Sequence, residues 1–428
     1  MSFIIIFTII FMIISIVYSK TIKIFKQHYA LYWIIGLSGS LVLVLLNFNL
    51  LPTYFDLLFE NTTMNPIKIL ILFLSFSAIS LYLDDIGFIA YLASKTVAIA
   101  GHDQRKLFLY FYVLVSFLTI FTANDIVILT LTPFIIYFSK NAKINPFPFL
   151  IMQFVAANTW SMLLIIGNPT NIYMATSFGI TFIEYLTVMT LPTVVTGLLS
   201  YFILVILFYK NLSQKIVFQE NASLPNRGLS VLGIIHLIGV TLMMAIAPYL
   251  GFEMYLIAFF FVISLFIAHQ IFIFWMKDKK VDFKKTIFRL PWSLVPFFLS
   301  MVFMIHAFDD LGWLPLFMVF LSSFNQDWIY GLSSFLVSNL INNIPMSILF
   351  TNILSMEPSS SLQAVYASII GSNLGAIFTP IGALAGMMWM SIIKRFEITI
   401  HFYDFLRYGF IIGLPLLAIS LFSLQFVV

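Results

Sequence analysis

The chain has 428 residues, of which 61% are hydrophobic and only 9% charged, with a mean hydropathy of +1.06. A soluble domain carries about 25% charged residues, so this composition excludes a soluble enzyme and defines an integral membrane protein. The net charge of +4 is spread in short clusters between apolar runs, which argues against nucleic acid, and the absence of cysteine removes disulfides, thiolate metal sites and thiol nucleophiles.

Apolar segments of about 20 residues recur along the chain, and backbone facing lipid must satisfy its own polar groups, so the predicted fold is an all-α polytopic membrane protein. Spans are predicted at Phe3–Tyr18, Ala30–Leu50, Ile67–Leu83, Phe147–Gly179, Leu186–Phe208, Leu229–Ala247, Met254–Trp275, Leu290–Ala307, Leu362–Ile393 and Phe405–Val427. The fourth and ninth of these are interrupted. The first run lacks a basic flank before it and a small-residue cleavage site after it, so it reads as a retained span rather than a leader.

Two further apolar segments, Leu107–Phe138 and Trp328–Ile353, are short for two spans plus a turn and carry polar residues at their middle. They are predicted to be re-entrant hairpins. With the N-terminus outside, this topology places every Lys and Arg except Lys68 in cytoplasmic loops, the bias expected of a multi-pass protein of the bacterial cytoplasmic membrane. Converting only one hairpin into two full spans would invert everything after it and lose the pattern. The basic stretch from Lys277 to Arg289 reads as a cytoplasmic linker.

The chain also echoes itself. Asp84-Asp85-Ile86-Gly87 returns as Asp309-Asp310-Leu311-Gly312, the hairpin tips align Asn124 with Asn342 and Asp125 with Asn343, and the later breaks align Pro169 with Pro380. These matches define two inverted repeats, residues 1–228 with an extra N-terminal span and residues 229–428, the architecture of many secondary transporters.

Polar interruptions of apolar helices fall at the two tips, at Gly167-Asn168-Pro169-Thr170-Asn171 and at Phe378-Thr379-Pro380-Ile381-Gly382. Proline removes a backbone donor, glycine permits an unwound turn, and freed carbonyls and helix N-termini at membrane depth survive where they line a cavity or meet a solute. Asn158, Thr159 and Ser161 approach the first break, and Ser372 and Asn373 approach the second. Asp125 is the acid near the midplane with no basic residue beside it, which makes it the candidate for binding a coupling proton or Na+. The acidic pairs Asp84-Asp85 and Asp309-Asp310 read as helix-end residues. Gly371 to Gly375 and Gly382 to Gly386 are small-residue spacings that fit close helix packing better than dimerisation. His102, His236, His269 and His306 show no metal spacing, and no catalytic triad or nucleotide loop occurs, so no metal, cofactor or enzymatic reaction is expected.

The strings Thr122 to Pro133, Gly167 to Asn171, Asn342 to Pro345 and Gly371 to Gly386 together resemble the arsenite permease family of the ion-transporter superfamily, which also holds citrate, dicarboxylate and sodium/proton transporters. The resemblance implies a scaffold and a mobile transport domain moving by an elevator-like displacement, a homodimer in lipid, and a small inorganic or organic solute as partner. It further implies that Asn124, Asp125, Asn168, Thr170, Asn171, Asn342, Asn343, Asn373 and Thr379 surround that solute, with Asn158, Thr159 and Ser372 as secondary candidates. The Ser-Asn-Thr tips of dicarboxylate members are absent, and Asp125 would repel a dianion unless neutralised. The expected activity is therefore proton-coupled efflux of arsenite or antimonite, with sodium/proton antiport or organic-anion transport as alternatives. A separate ATPase partner is compatible with the sequence.

Overall fold

The computed structural model describes residues 2–17, 21–24, 27–46, 51–62, 65–213, 216, 226–276, 282–324, 327–356, 361–398 and 402–428. The first repeat opens with α1 (Ser2–Val17), α2 (Leu31–Leu46), α3 (Leu51–Phe59), α4 (Pro66–Asp85) and α5 (Phe88–Ala100). Between α1 and α2 lies a departure from a purely helical chain, an antiparallel ribbon pairing Thr21–Ile24 with Gln27–Ala30. Asn65 starts α4 by accepting from the amides of Ile67 and Lys68, and Pro66 costs nothing at the first helical position.

The repeat continues through α6 (Gln104–Phe121), α7 (Asn124–Asn141), α8 (Phe147–Trp160), α9 (Pro169–Ser177) and α10 (Phe182–Phe208). The second comprises α11 (Arg227–Ile246), α12 (Met254–Met276), α13 (Phe283–Arg289), α14 (Leu294–Asp310), α15 (Trp313–Ser322), α16 (Trp328–Ile341), α17 (Asn343–Met356), α18 (Leu362–Phe378), α19 (Leu384–Arg395) and α20 (Phe402–Leu424). Seven helices among the described residues are long and apolar enough to cross a membrane unaided. Tyr18, Leu50 and Lys277, which bound predicted segments, lie outside the described residues.

The repeat is visible in the turns. After Asp84-Asp85 and after Asp309-Asp310 the chain bends at a left-handed glycine, Gly87 at φ 81° and Gly312 at φ 74°, each of which caps the next helix. A side chain is strained at these angles, so glycine is required for the elbow. Space is divided differently from sequence. One packed body gathers α1, α2, α4, α11, α12 and α14, the other α6 to α10 and α16 to α20, so each draws on both repeats. The sequence halves 1–228 and 229–428 are therefore not separate lobes.

Within the second body α16 and α18 pack closest, because a Cβ at Gly371 would strike Ser334 Oγ and the Gly331 carbonyl, and one at Gly375 would strike Ser338 Oγ. This is the close packing expected of small residues at that spacing. The bundle surface is apolar, as on α12 where Phe259, Phe260, Phe266, Ile267 and Phe274 are exposed, the arrangement suited to lipid.

Charged ends assigned to one face do meet. Arg289 of α13 clamps both Asp84 (2.6 Å) and Asp85 at the end of α4, with Thr286 Oγ1 donating to Asp85 at 2.7 Å. The basic linker therefore ends in a short helix that staples the acidic pair. Arg105 lies 4.3 Å over the Tyr209 ring, and Lys140 donates to the Phe396 carbonyl at 3.1 Å. At the other end of α4, Lys68 pairs with Glu253 at 2.6 Å.

Candidate functional site

Each hairpin is two helices joined by an elbow of one or two residues. Thr122 and Ala123 are extended and hand the chain from α6 to α7. Asn342 does so alone between α16 and α17, at φ 78° and ψ 154°, a positive-φ extended conformation that is strained for any residue with a side chain. The tips are buried, with Asn124 and Asn343 each 3% exposed, and they line one small cavity together with Phe73 from the middle of α4. An elbow at the midpoint of a neighbouring span fits chain that enters and returns, with the charged first turn of α6 beyond the hydrocarbon.

The breaks complete that cavity. Between α8 and α9 the chain unwinds into a short 3₁₀ turn, Ile165–Gly167, before Asn168 caps α9 by accepting from the Thr170 amide at 3.2 Å. Between α18 and α19 an equivalent turn, Pro380–Gly382, precedes Ala383. Both glycines are forced, since a Cβ on Gly167 would meet the Ser161 carbonyl and one on Gly382 would lie 2.7 Å from the Gly375 carbonyl. The unwound segments aim two helix N-termini, α9 and α19, at the same space as those of α7 and α17, and such ends favour anionic or oxygen-rich groups.

The cavity is lined by Phe73, Asn124, Asp125, Asn168, Pro169, Leu294, Asn343, Ile344, Ala383 and Ala385, and its volume of about 20 Å³ fits one water or one bare cation. Asp125, 7% exposed, sits in the first turn of α7 and accepts from the Ile126 amide at 3.1 Å. Among the described residues no basic side chain pairs with it. Asn343 Oδ1 is buried without a hydrogen-bond partner, and so is Thr159 Oγ1.

Behind the cavity lies a polar weld. Asn373 accepts from Ser161 Oγ and Asn168 Nδ2, both at 3.0 Å, and donates to Asn171 Oδ1 at 2.6 Å and the Ile369 carbonyl at 2.8 Å. Ser372 donates to Thr170 at 2.9 Å, and Asn171 donates to the Ser161 carbonyl at 2.8 Å. Asn158 binds the first tip, accepting from Asn124 at 3.1 Å. Thr379 donates to Asn339 Oδ1 at 2.6 Å and so ties the second break to the second hairpin.

Of the residues singled out in the sequence, Asn124, Asp125, Asn168 and Asn343 line the cavity. Thr170, Asn171, Asn342, Asn373, Thr379, Asn158, Thr159 and Ser372 surround it without lining it, and the amide of Asn373 is fully engaged with protein groups. Asn373, Asn171 and Thr379 are thus placed to hold the breaks in shape. The structure also shifts the repeat register. Asn124 and Asn343 are the first residues of their helices, so Asn124 corresponds to Asn343 and Asp125 to Ile344. Gly167 corresponds to Gly382, which leaves Asn168 opposite Ala383 rather than Pro169 opposite Pro380. The helix starts therefore move the register by one residue at the tips and by four at the breaks from the match of like residues.

Sequence reasoning placed Asn339 in the second tip without giving it a role, though its carboxamide braces the second break, and it missed Gln153, whose amide donates to the Val127 and Ile128 carbonyls at 3.2 and 3.1 Å in the turns before Pro133. Both are amides in apolar helices, the signal that could have found them. Phe73 and Leu294 carry no such signal.

Paired helical hairpins and paired broken helices around a common buried cavity are the architecture of a secondary transporter. A family model described as Citrate transporter matches residues 1–371. The chain belongs to that family. It is similar to the arsenical pump membrane protein of Escherichia coli (strain K12), 25% identical over 374 residues that cover 82% of this chain and 84% of that one. The putative arsenical pump membrane protein of Bacillus subtilis (strain 168) is 25% identical over 364 residues, 77% of this chain and 80% of that one. The crystal structure of the YdaH transporter of Alcanivorax borkumensis shares the fold, with a TM-score of 0.57, 13% identity and coverage of 99% of this chain and 97% of that one. The resemblance to arsenite permeases is borne out, and the chain is an ion-transporter-type membrane protein rather than an enzyme.

Proposed function

We propose that this chain is a proton-coupled efflux permease for arsenite and antimonite in the bacterial cytoplasmic membrane, with its N-terminus outside and Asp125 carrying the proton. The observation that carries the reading is the cavity itself, which holds one carboxylate and three amide side chains and no basic group. A neutral trihydroxide such as arsenous acid needs hydrogen-bond donors and acceptors and no counter-charge, whereas a dianion would meet Asp125 uncompensated. The names of the relatives point the same way. With about 20 Å³ available, the solute enters after the hairpin tips part, and the narrow arrangement holds the coupling ion at Asp125.

The family description favours one second reading, transport of an organic anion such as citrate with a cation bound at Asp125. Lipid, a second copy of the chain and, in the pumping form, a separate ATPase are its partners in this account; proton or sodium is the coupling ion. Uptake into everted vesicles, with arsenite, Na+ and citrate compared with and without a pH gradient, separates the readings. Arsenite accumulation that collapses with the gradient is expected. A sodium-driven pH change with no arsenite movement would overturn the proposal.

A further inference from the structure

A second cavity lies toward the end of α4 that carries Lys68. Its volume is about 230 Å³, and its walls include Lys68, Leu72, Thr176, Ile180, Glu253 and Tyr255. It shares two walls with the central cavity. On α4, Leu72 faces this space while its neighbour Phe73 faces the central one. On α9, Thr176 lines the larger cavity and Asn168 and Pro169, at the other end, line the smaller. At about 1.5 Å of rise per residue, the separation along α9 is roughly 10 Å. The larger cavity also lies at the seam between the two packed bodies, α4 and α12 on one side and the α9–α10 turn on the other.

The two charged groups in its lining, Lys68 and Glu253, form an ion pair. Lys68 donates to Glu253 at 2.6 Å, is held by Asn61 and sits 5.5 Å from the Tyr255 ring centre, with the Lys68 side chain 18% and Glu253 50% exposed. Lys68 is also the one Lys or Arg that the charge pattern leaves on the outer face.

From this geometry we infer that the larger cavity is the outer vestibule of the transport route, separated from the central cavity by the Leu72–Phe73 step, and that the Lys68–Glu253 pair keeps its mouth neutral toward entering or leaving solutes. The inference rests on the outside orientation proposed above. A lone lysine at such a mouth would focus a positive potential, enriching anions and repelling cations. Pairing it with Glu253 cancels that preference and suits an uncharged solute.

The native chain has no cysteine, so single-cysteine variants report accessibility without background. Leu72→Cys, and separately Thr176→Cys, would be treated in intact cells with membrane-impermeant methanethiosulfonates, one cationic and one anionic. Tyr249→Cys, 79% exposed and three residues before Phe252 of the cavity lining, serves as the control. All three are expected to label from outside. Adding Glu253→Gln should shift the ratio of anionic to cationic labelling at Leu72 by about ten-fold, an effect that fades at high salt. If Tyr249→Cys labels only from the cytoplasmic side, the orientation is wrong. If it labels from outside while neither Leu72→Cys nor Thr176→Cys does, the vestibule is refuted. An unchanged charge ratio in the Glu253→Gln background would refute the role of the ion pair.

Discussion

Asn158 and Asn373 precede their breaks by the same distance, and both donate to the carbonyl four residues back, Phe154 and Ile369. Their other partners differ, and the difference sets a measurable asymmetry. Asn373→Ala would orphan the Asn168 amide and the Asn171 carboxamide oxygen, while the Ser161 hydroxyl keeps the Asn158 carbonyl, whereas Asn158→Ala would orphan only the Asn124 amide. Leaving a buried polar group unpaired costs about 1–3 kcal/mol, and side-chain bonds between membrane helices average about 0.6 kcal/mol because the membrane-embedded unfolded state finds partners too. Two orphans against one then give about 1–4 kcal/mol for Asn373→Ala and about 1 kcal/mol for Asn158→Ala, with partial relaxation favouring the lower end. The assay is reversible unfolding of the purified protein in mixed micelles, with parent and variants run side by side. Equal losses, or a larger loss at Asn158, would refute the hydrogen-bond account of how the first break is held.

Further outcomes follow from the same geometry. Gly371→Ala gains about 1 kcal/mol of helix propensity but drives a methyl group into Ser334 Oγ and the Gly331 carbonyl, so net destabilisation of about 1–3 kcal/mol is expected. Adding Ser334→Gly should rescue it only in part, because the backbone carbonyl remains; full rescue in thermal unfolding would contradict the packing argument. Asp125→Asn should abolish proton-coupled solute movement in everted vesicles while the protein still purifies folded, and unchanged coupling would remove Asp125 from the mechanism. Arg289→Gln should cost about 1 kcal/mol, less at high salt, since Asp85 keeps Thr286 and Lys285 and the guanidinium is partly solvated; a salt-independent loss would point to packing instead.

The spans, both hairpins and both breaks were legible because each leaves a compositional trace: apolar length, an Asn or Asp inside it, or a Pro-Gly step. Asn124, Asp125, Asn168 and Asn343 were legible for that reason. The register between repeats was not, because matching like residues, Asn with Asn and Pro with Pro, cannot see that one elbow spends two residues, Thr122 and Ala123, where the other spends Asn342 alone, nor that the two prolines stand at different places in their breaks. Roles were also blurred. Asn373 and Asn343 look alike in sequence, yet one has a fully occupied amide and the other a buried oxygen without a protein partner. The apolar walls, Phe73 and Leu294, are set by how α4 and α14 cross the tips, which no local pattern encodes.

The central claim, that tips from oppositely oriented repeats meet at one cavity beside Asp125, is tested most directly by cross-linking. In this cysteine-free chain, the pair Asn124→Cys and Asn343→Cys, treated in native membranes with the shortest bifunctional thiol reagent, should join at high yield. Joining at the background level of an Asn124→Cys and Tyr249→Cys pair would contradict it.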